Sequence, residues 1–292
     1  MSTTPNDGNA MDGTVPPADR DEIDSTEPTR LGPGHRSTNT EDKRQSSELQ
    51  RFPIEPWRVA KYLGCIITGL VVGGAIANYS IYNIAPHPEH EVADVLKRFD
   101  LGHEPSIPAF YSAVVMLLAA ATAAFLAVYD HGAQMRRRKS WLLLCFVLTL
   151  LATDESVMFH EMGTSAMNRL GLSGSLHFSW VIPGSIFAAV AALAFSHLLF
   201  NLSWRTRLLF ICSGVIFLSG AIGMEILGSM IVSSYASEAA AISSLTHVLS
   251  QAVEEALEMV GMGLFFCSLL DFIKLERISL WISTPPQVIG ES

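Results

Sequence analysis

Charge is scarce in this chain: of 292 residues only 16% are Asp, Glu, Lys or Arg, while 49% are hydrophobic. Several runs approach 20 residues with almost none of the four, about the span of a hydrocarbon core, which excludes an ordinary soluble domain. Cysteine is nearly missing too. Cys65, Cys145, Cys212 and Cys267 all stand in apolar runs without CxxC spacing, so a disulfide framework is not expected and small buried hydrophobes are. The sequence has no glycine-rich phosphate loop and no GxSxG elbow, which removes the usual marks of phosphate binding and of a serine nucleophile. His160 and Glu161 resemble the start of the zinc motif HExxH, but Thr164 stands where its second histidine would be. The N-terminus lacks the basic, apolar and small-residue parts of a cleaved signal peptide, so the first apolar segment is expected to direct its own insertion.

What is present is an all-α integral membrane protein with six transmembrane helices. Residues 1–50 are rich in Ser, Thr, Pro, Gly, Asn and acidic residues without apolar periodicity, and are expected to be a disordered cytoplasmic tail. Residues 51–273 form the membrane domain, with spans expected at about 59–84, 109–129, 141–161, 178–202, 208–232 and 244–272; residues 274–292 are a short second tail. Lys43, Arg44, Arg51, Arg58 and Lys61 precede the first span, Arg136, Arg137, Arg138 and Lys139 separate the second from the third, Arg205 and Arg207 the fourth from the fifth, and Lys274 follows the sixth. By the positive-inside rule both termini are cytoplasmic, and a plasma (inner) membrane is the expected location. These basic loops are explained by topology, so membrane lipids are the expected partners and no nucleic acid is expected. Gly69, Gly73 and Ala77 form a small-residue ridge on which another helix is expected to pack.

Against this apolar background the acidic residues are conspicuous. In the sixth span His247, Glu254 and Glu258 fall at about 0°, −20° and +20° on a helical wheel, with Gln251 near 40° and Glu255 near 80°. The third span ends in Asp154, Glu155, His160 and Glu161, and the fifth carries Glu225. At 1.5 Å per residue, Asp154 and Glu225 lie about 10 Å below the outer surface, His247 about 5 Å, Glu254 about 15 Å and Glu258 about 20 Å. Spans running in opposite directions therefore place their ionisable groups in one layer. A regular helix leaves His160 near −120° from Asp154, so the end of the third span is expected to unwind or to contain a π-bulge, unless His160 makes a separate contact.

Each acidic residue at the bilayer centre costs about 2.5–3.5 kcal/mol, and the spans offer no Lys or Arg at that depth. Bound cations or protonated carboxyls are the two remedies. The leading expectation is a metal centre of iron, manganese or zinc, with Asp154, Glu155, Glu161, His247, Glu254 and Glu258 as ligands and Glu255, Glu225 and His160 as acid–base candidates. Such a centre would make the protein a metal-dependent hydrolase or oxidoreductase acting on a lipid or another lipophilic substrate. The alternative is a proton- or cation-coupled transporter or channel using the same cluster, and the third reading a structural or sensor protein. His197 is expected to serve helix packing, and His87, His90 and His103 to be solvated.

Overall fold

The computed structural model describes residues 55–84, 90–102, 106–129, 135–159 and 180–276, all within one unit, Arg51–Ser292. The tail expected at residues 1–50 lies outside the described residues, as does most of 274–292. Among the described residues the chain is helical and has no strand. Six helices are long and apolar enough to cross a membrane, which makes this an integral multi-pass membrane protein.

The helices follow the sequence closely. α1 (Pro56–Tyr79) continues into a π-helical turn, Ser80–Ile84, and a short helix, α2 (His90–Lys97), comes next. Next come α3 (Ile107–Tyr129), α4 (Met135–Val157) and α5 (Val181–Phe200). The fifth span, Trp204–Ser234, is composite: α6 (Trp204–Leu218), a π-helical segment (Ser219–Met224) and α7 (Glu225–Ser234). A short α8 (Glu238–Ile242) leads to α9 (Leu245–Leu275), the sixth span. Pro56 opens α1, where its missing N–H costs nothing. Ser203 and Ser244 cap α6 and α9 by accepting from the N–H groups of Thr206 and His247.

The third span departs most from expectation. Its helix begins at Met135 because the Arg136–Lys139 run propagates a helix well outside the apolar stretch. It ends at Val157, where Met158 takes a left-handed φ of 59°. Phe159 is helical again and His160 lies outside the described residues, while the π-helical turns among the described residues lie in the first and fifth spans. The expected ridge on α1 is also corrected. Among the described residues a Cβ at Gly69 or Gly73 would meet nothing within 4 Å, whereas one at Gly74 would stand 2.6 Å from Leu101. The close approach on α1 is thus made by Gly74 and Asn78 against residues 99–101, one residue out of step with the 69/73 row, while Ala77, the third residue of the expected ridge, is buried.

α9 is the central helix, packed on α1, α3, α6 and the π-helical segment, while α3 lies along α4. In lipid, helices associate through close van der Waals contact, and small residues permit it. Ala113, Ala119, Ala120, Ala123 and Ala127 supply that surface on α3. A Cβ on Gly261 would stand 2.6 Å from the Phe217 nitrogen, so α6 and α9 meet backbone to backbone. Trp141, wholly buried, lies 5.3 Å from Phe272 and joins α4 to α9. The basic ends gather at one end of the bundle. Arg205 donates twice to Asp271, at 3.0 and 3.1 Å, and the Arg137 guanidinium stands 5.2 Å from the Phe272 ring. Arg207 donates to the carbonyls of Leu199, Phe200 and Leu202, closing the end of α5.

Candidate functional site

The site lies toward the opposite end and is built on the polar stripe of α9. Gly220, in the π-helical segment, has no side chain where the segment crosses that stripe: a Cβ there would stand 2.8 Å from the Glu254 carbonyl oxygen and 2.8 Å from Glu258 Cγ. In an α-helix Glu225, five residues further on, would point about 140° away from Gly220. Hydrogen bonding from i to i+5 winds those five residues into little more than one turn, which returns Glu225 to the face that meets α9.

The result is a knot of carboxyl groups. The side chains of Glu225 and Glu254 share a hydrogen bond, and Glu255 is within electrostatic reach of Glu254. Glu258 lies within reach of Glu155, Glu225, Glu254 and Glu255. Trp180 Nε1, just before α5, donates to Glu225 Oε1 at 2.9 Å and fixes that carboxyl from the far side. Glu225, Glu254 and Glu258 meet no Lys or Arg among the described residues; the described ion pairs are Arg58–Glu55 and Arg205–Asp271. Two carboxyl oxygens at hydrogen-bond range need a proton or a cation between them.

Beside this knot a second polar cluster links α1, residues 100–102 and α9. Asn78 Nδ2 donates to Asp100 Oδ1 at 2.7 Å and to Gln251 Oε1 at 3.0 Å, and the Gly102 N–H donates to Asp100 Oδ1 at 3.1 Å. Asn78 and Asp100 are each 2% exposed. His247, 8% exposed, lies within electrostatic reach of both Asp100 and Glu225 and so stands between the two clusters. Its Nδ1 is buried with no hydrogen-bond partner among the described residues. Nearby, hydrogen bonds from Ser244 and Thr246 lower the pKa of the exposed Tyr235 phenol, because they favour the phenolate.

Of the residues singled out in the sequence, Glu155, Glu225, Glu254, Glu255 and Glu258 come together, with His247 above them. Asp154 is half-buried one position before Glu155 on α4. His160 and Glu161 lie outside the described residues, as do His87 and His103. Among the described residues no three His, Cys, Asp or Glu side chains are grouped so that they could hold a metal ion. His197 is bonded within its own turn, its carbonyl accepting from Asn201 Nδ2 at 2.6 Å. Sequence reasoning missed Asn78, Asp100 and Trp180. An asparagine inside an apolar span was the available signal for the first; Asp100 reads as an ordinary loop acid, and nothing marks Trp180.

The chain matches a family described as "Domain of unknown function (DUF8692)" over residues 64–272, a stretch that contains both polar clusters and all six spans in whole or part. No curated protein and no solved structure matches it.

Proposed function

The chain belongs to the DUF8692 family, and from that premise we propose that it is a membrane protein that takes up positive charge, in the first place protons, at the carboxyl knot between α4, the π-helical segment and α9. Both termini are placed on the cytoplasmic side of a plasma membrane and the knot near its outer surface, as the basic loops favour. The observation that carries the reading is the hydrogen bond between Glu225 and Glu254, with no Lys or Arg paired to either among the described residues. A carboxyl pair of this kind holds one charge where two would repel, and it exchanges its proton for any cation that balances the charge as well. His247, between Asp100 and Glu225, supplies the step from the outer surface to the knot. The inner half of α9 is packed tight, with Met259, Leu269 and Phe272 at most 1% exposed. Coupled transport would require that half to open in turn.

A divalent metal, iron, manganese or zinc, is the second reading, and it is favoured by the buried, unbonded Nδ1 of His247. Under it Asp154, Glu155, Glu254, Glu258 and His247 are the ligand candidates, with Glu161 as the sequence expects. The protein is then a metal-dependent hydrolase or oxidoreductase on a lipophilic substrate, with Glu255, Glu225 or His160 moving protons.

One paired experiment separates the two. Detergent-purified wild type and Glu254→Gln are compared by infrared difference spectroscopy across a pH titration, and both are analysed for metals after supplementation with each candidate. The proton reading expects a protonated-carboxyl band in the wild type that is lost in the variant, without stoichiometric metal. One metal ion per chain, lost on Glu254→Gln, would overturn it in favour of the second reading.

A further inference from the structure

The basic end of the bundle carries a second, chemically opposite feature. A cleft of about 230 Å3 opens between the start of α1, the start of α6 and the end of α9. Its floor is apolar, with Leu209 and Leu264, and its mouth is lined by Trp57, Arg205, Asp271 and Lys274. Among the described residues Asp271 is the only acid lining it, and both its oxygens are engaged by Arg205. The Arg205 side chain is nevertheless 68% exposed, so its remaining N–H groups face outward. Lys274 is exposed, and Lys61 Nζ lies 4.4 Å from the centre of the Trp57 ring, so a third cation stands at the rim. Glu55, before α1, is held by Arg58 at 2.6 Å, and Glu276, two residues after Lys274, is exposed.

We propose that this cleft binds the headgroup of one anionic phospholipid from the leaflet that faces the basic ends. A phosphodiester supplies the negative charge that Lys274 and Lys61 lack, and the Arg205 N–H groups that Asp271 leaves unused can donate to it as well. Trp57, half-exposed, occupies the interfacial position that indole rings favour. The volume suits a headgroup and not its acyl chains. These lie along the exposed apolar side chains of α6, such as Leu208, Ile211 and Val215. A soluble phosphate would gain nothing from the apolar floor or from a mouth that opens between membrane spans. The inference rests on the membrane character of the chain and not on the carboxyl knot.

The test is native mass spectrometry of the full-length protein in detergent, titrated with phosphatidylglycerol and with phosphatidylcholine. Lys274→Gln and Trp57→Ala are compared with wild type; both positions are exposed, so the fold is expected to survive, and a melting curve verifies it. The expected result is one retained phosphatidylglycerol per chain, weaker retention of phosphatidylcholine, and a loss of about fivefold in affinity on Lys274→Gln, the worth of one cation at an anionic surface. Trp57→Ala is expected to weaken both lipids. Equal retention of the two lipids, or variants that bind as wild type does, would overturn the proposal. Displacement of the lipid by millimolar glycerol phosphate would overturn it too, since the cleft would then be a free-anion site. Glu254→Gln is expected to retain the lipid whatever becomes of the proton reading, which keeps the two conclusions separate.

Discussion

One helix, α9, holds acids of two kinds. Asp271, near its basic end, is gripped by both arms of the Arg205 fork. Glu254 and Glu258, about 20 Å or more away along the same helix, meet other carboxyls instead. The first acid is neutralised once, by a partner fixed in the fold, and its worth is structural. On the proposed reading the others are neutralised by a proton or cation that comes and goes. What separates them is whether a described side chain supplies the counter-charge, and on the proposed reading the surroundings supply it at the knot.

The contrast can be broken most forcefully at its structural end. Arg205→Ala is expected to leave Asp271 charged and unsupported, lowering stability by about 2–3 kcal/mol, and Arg205→Ala with Asp271→Asn to recover most of the loss; melting curves in detergent measure both. Gly220→Ala comes next. Its Cβ would press on the Glu254 carbonyl, forcing the helices apart at a cost of about 1–2 kcal/mol, whereas Gly223→Ala, in open space, should be neutral to about 0.5 kcal/mol. The comparison is sharpened at the acidic end: Glu254→Gln keeps a group that can donate to Glu225 and should leave stability within about 1 kcal/mol of wild type. A Glu254→Gln protein that melts as far below wild type as Arg205→Ala would show the knot to be structural after all. The smallest effect is expected at Met158, where glycine would relieve the left-handed backbone and raise stability by at most about 1 kcal/mol.

The six spans were legible because a hydrocarbon core leaves few choices: an apolar run of the right length between basic loops has one solution. The convergence of Glu225 with Glu254 and Glu258 followed from depth alone. Orientation around the helix axis did not. Glu225 faces α9 only because the segment before it is π-helical, and no propensity in SGAIGM announces that turn. The same limit placed the α1 ridge at 69/73 when the packed glycine is Gly74, since a run with Gly69, Gly73 and Gly74 offers two faces and only the loop carrying Leu101 decides between them. Asp100 was unreadable for another reason. Its burial depends on Asn78 and Gln251, distant in sequence, and a loop acid gives no sign of such partners.

The π-helical segment makes the orientation of Glu225 a matter of counting. Removing one residue between Ser219 and Met224 would let the segment relax into a continuous α-helix only about 1.5 Å shorter, with its apolar character and span intact. Glu225 would then follow Gly220 by four α-helical residues, about 400°, and would still face α9, because the residue lost is the one that widens the turn. Removing a second residue would turn everything from Glu225 to Ser234 by about 100° relative to α6 and take Glu225 from both Glu254 and the Trp180 indole. One codon is thus absorbed where two are not, and single and double deletions along 219–224 would distinguish the residue that widens the turn from those that set its phase.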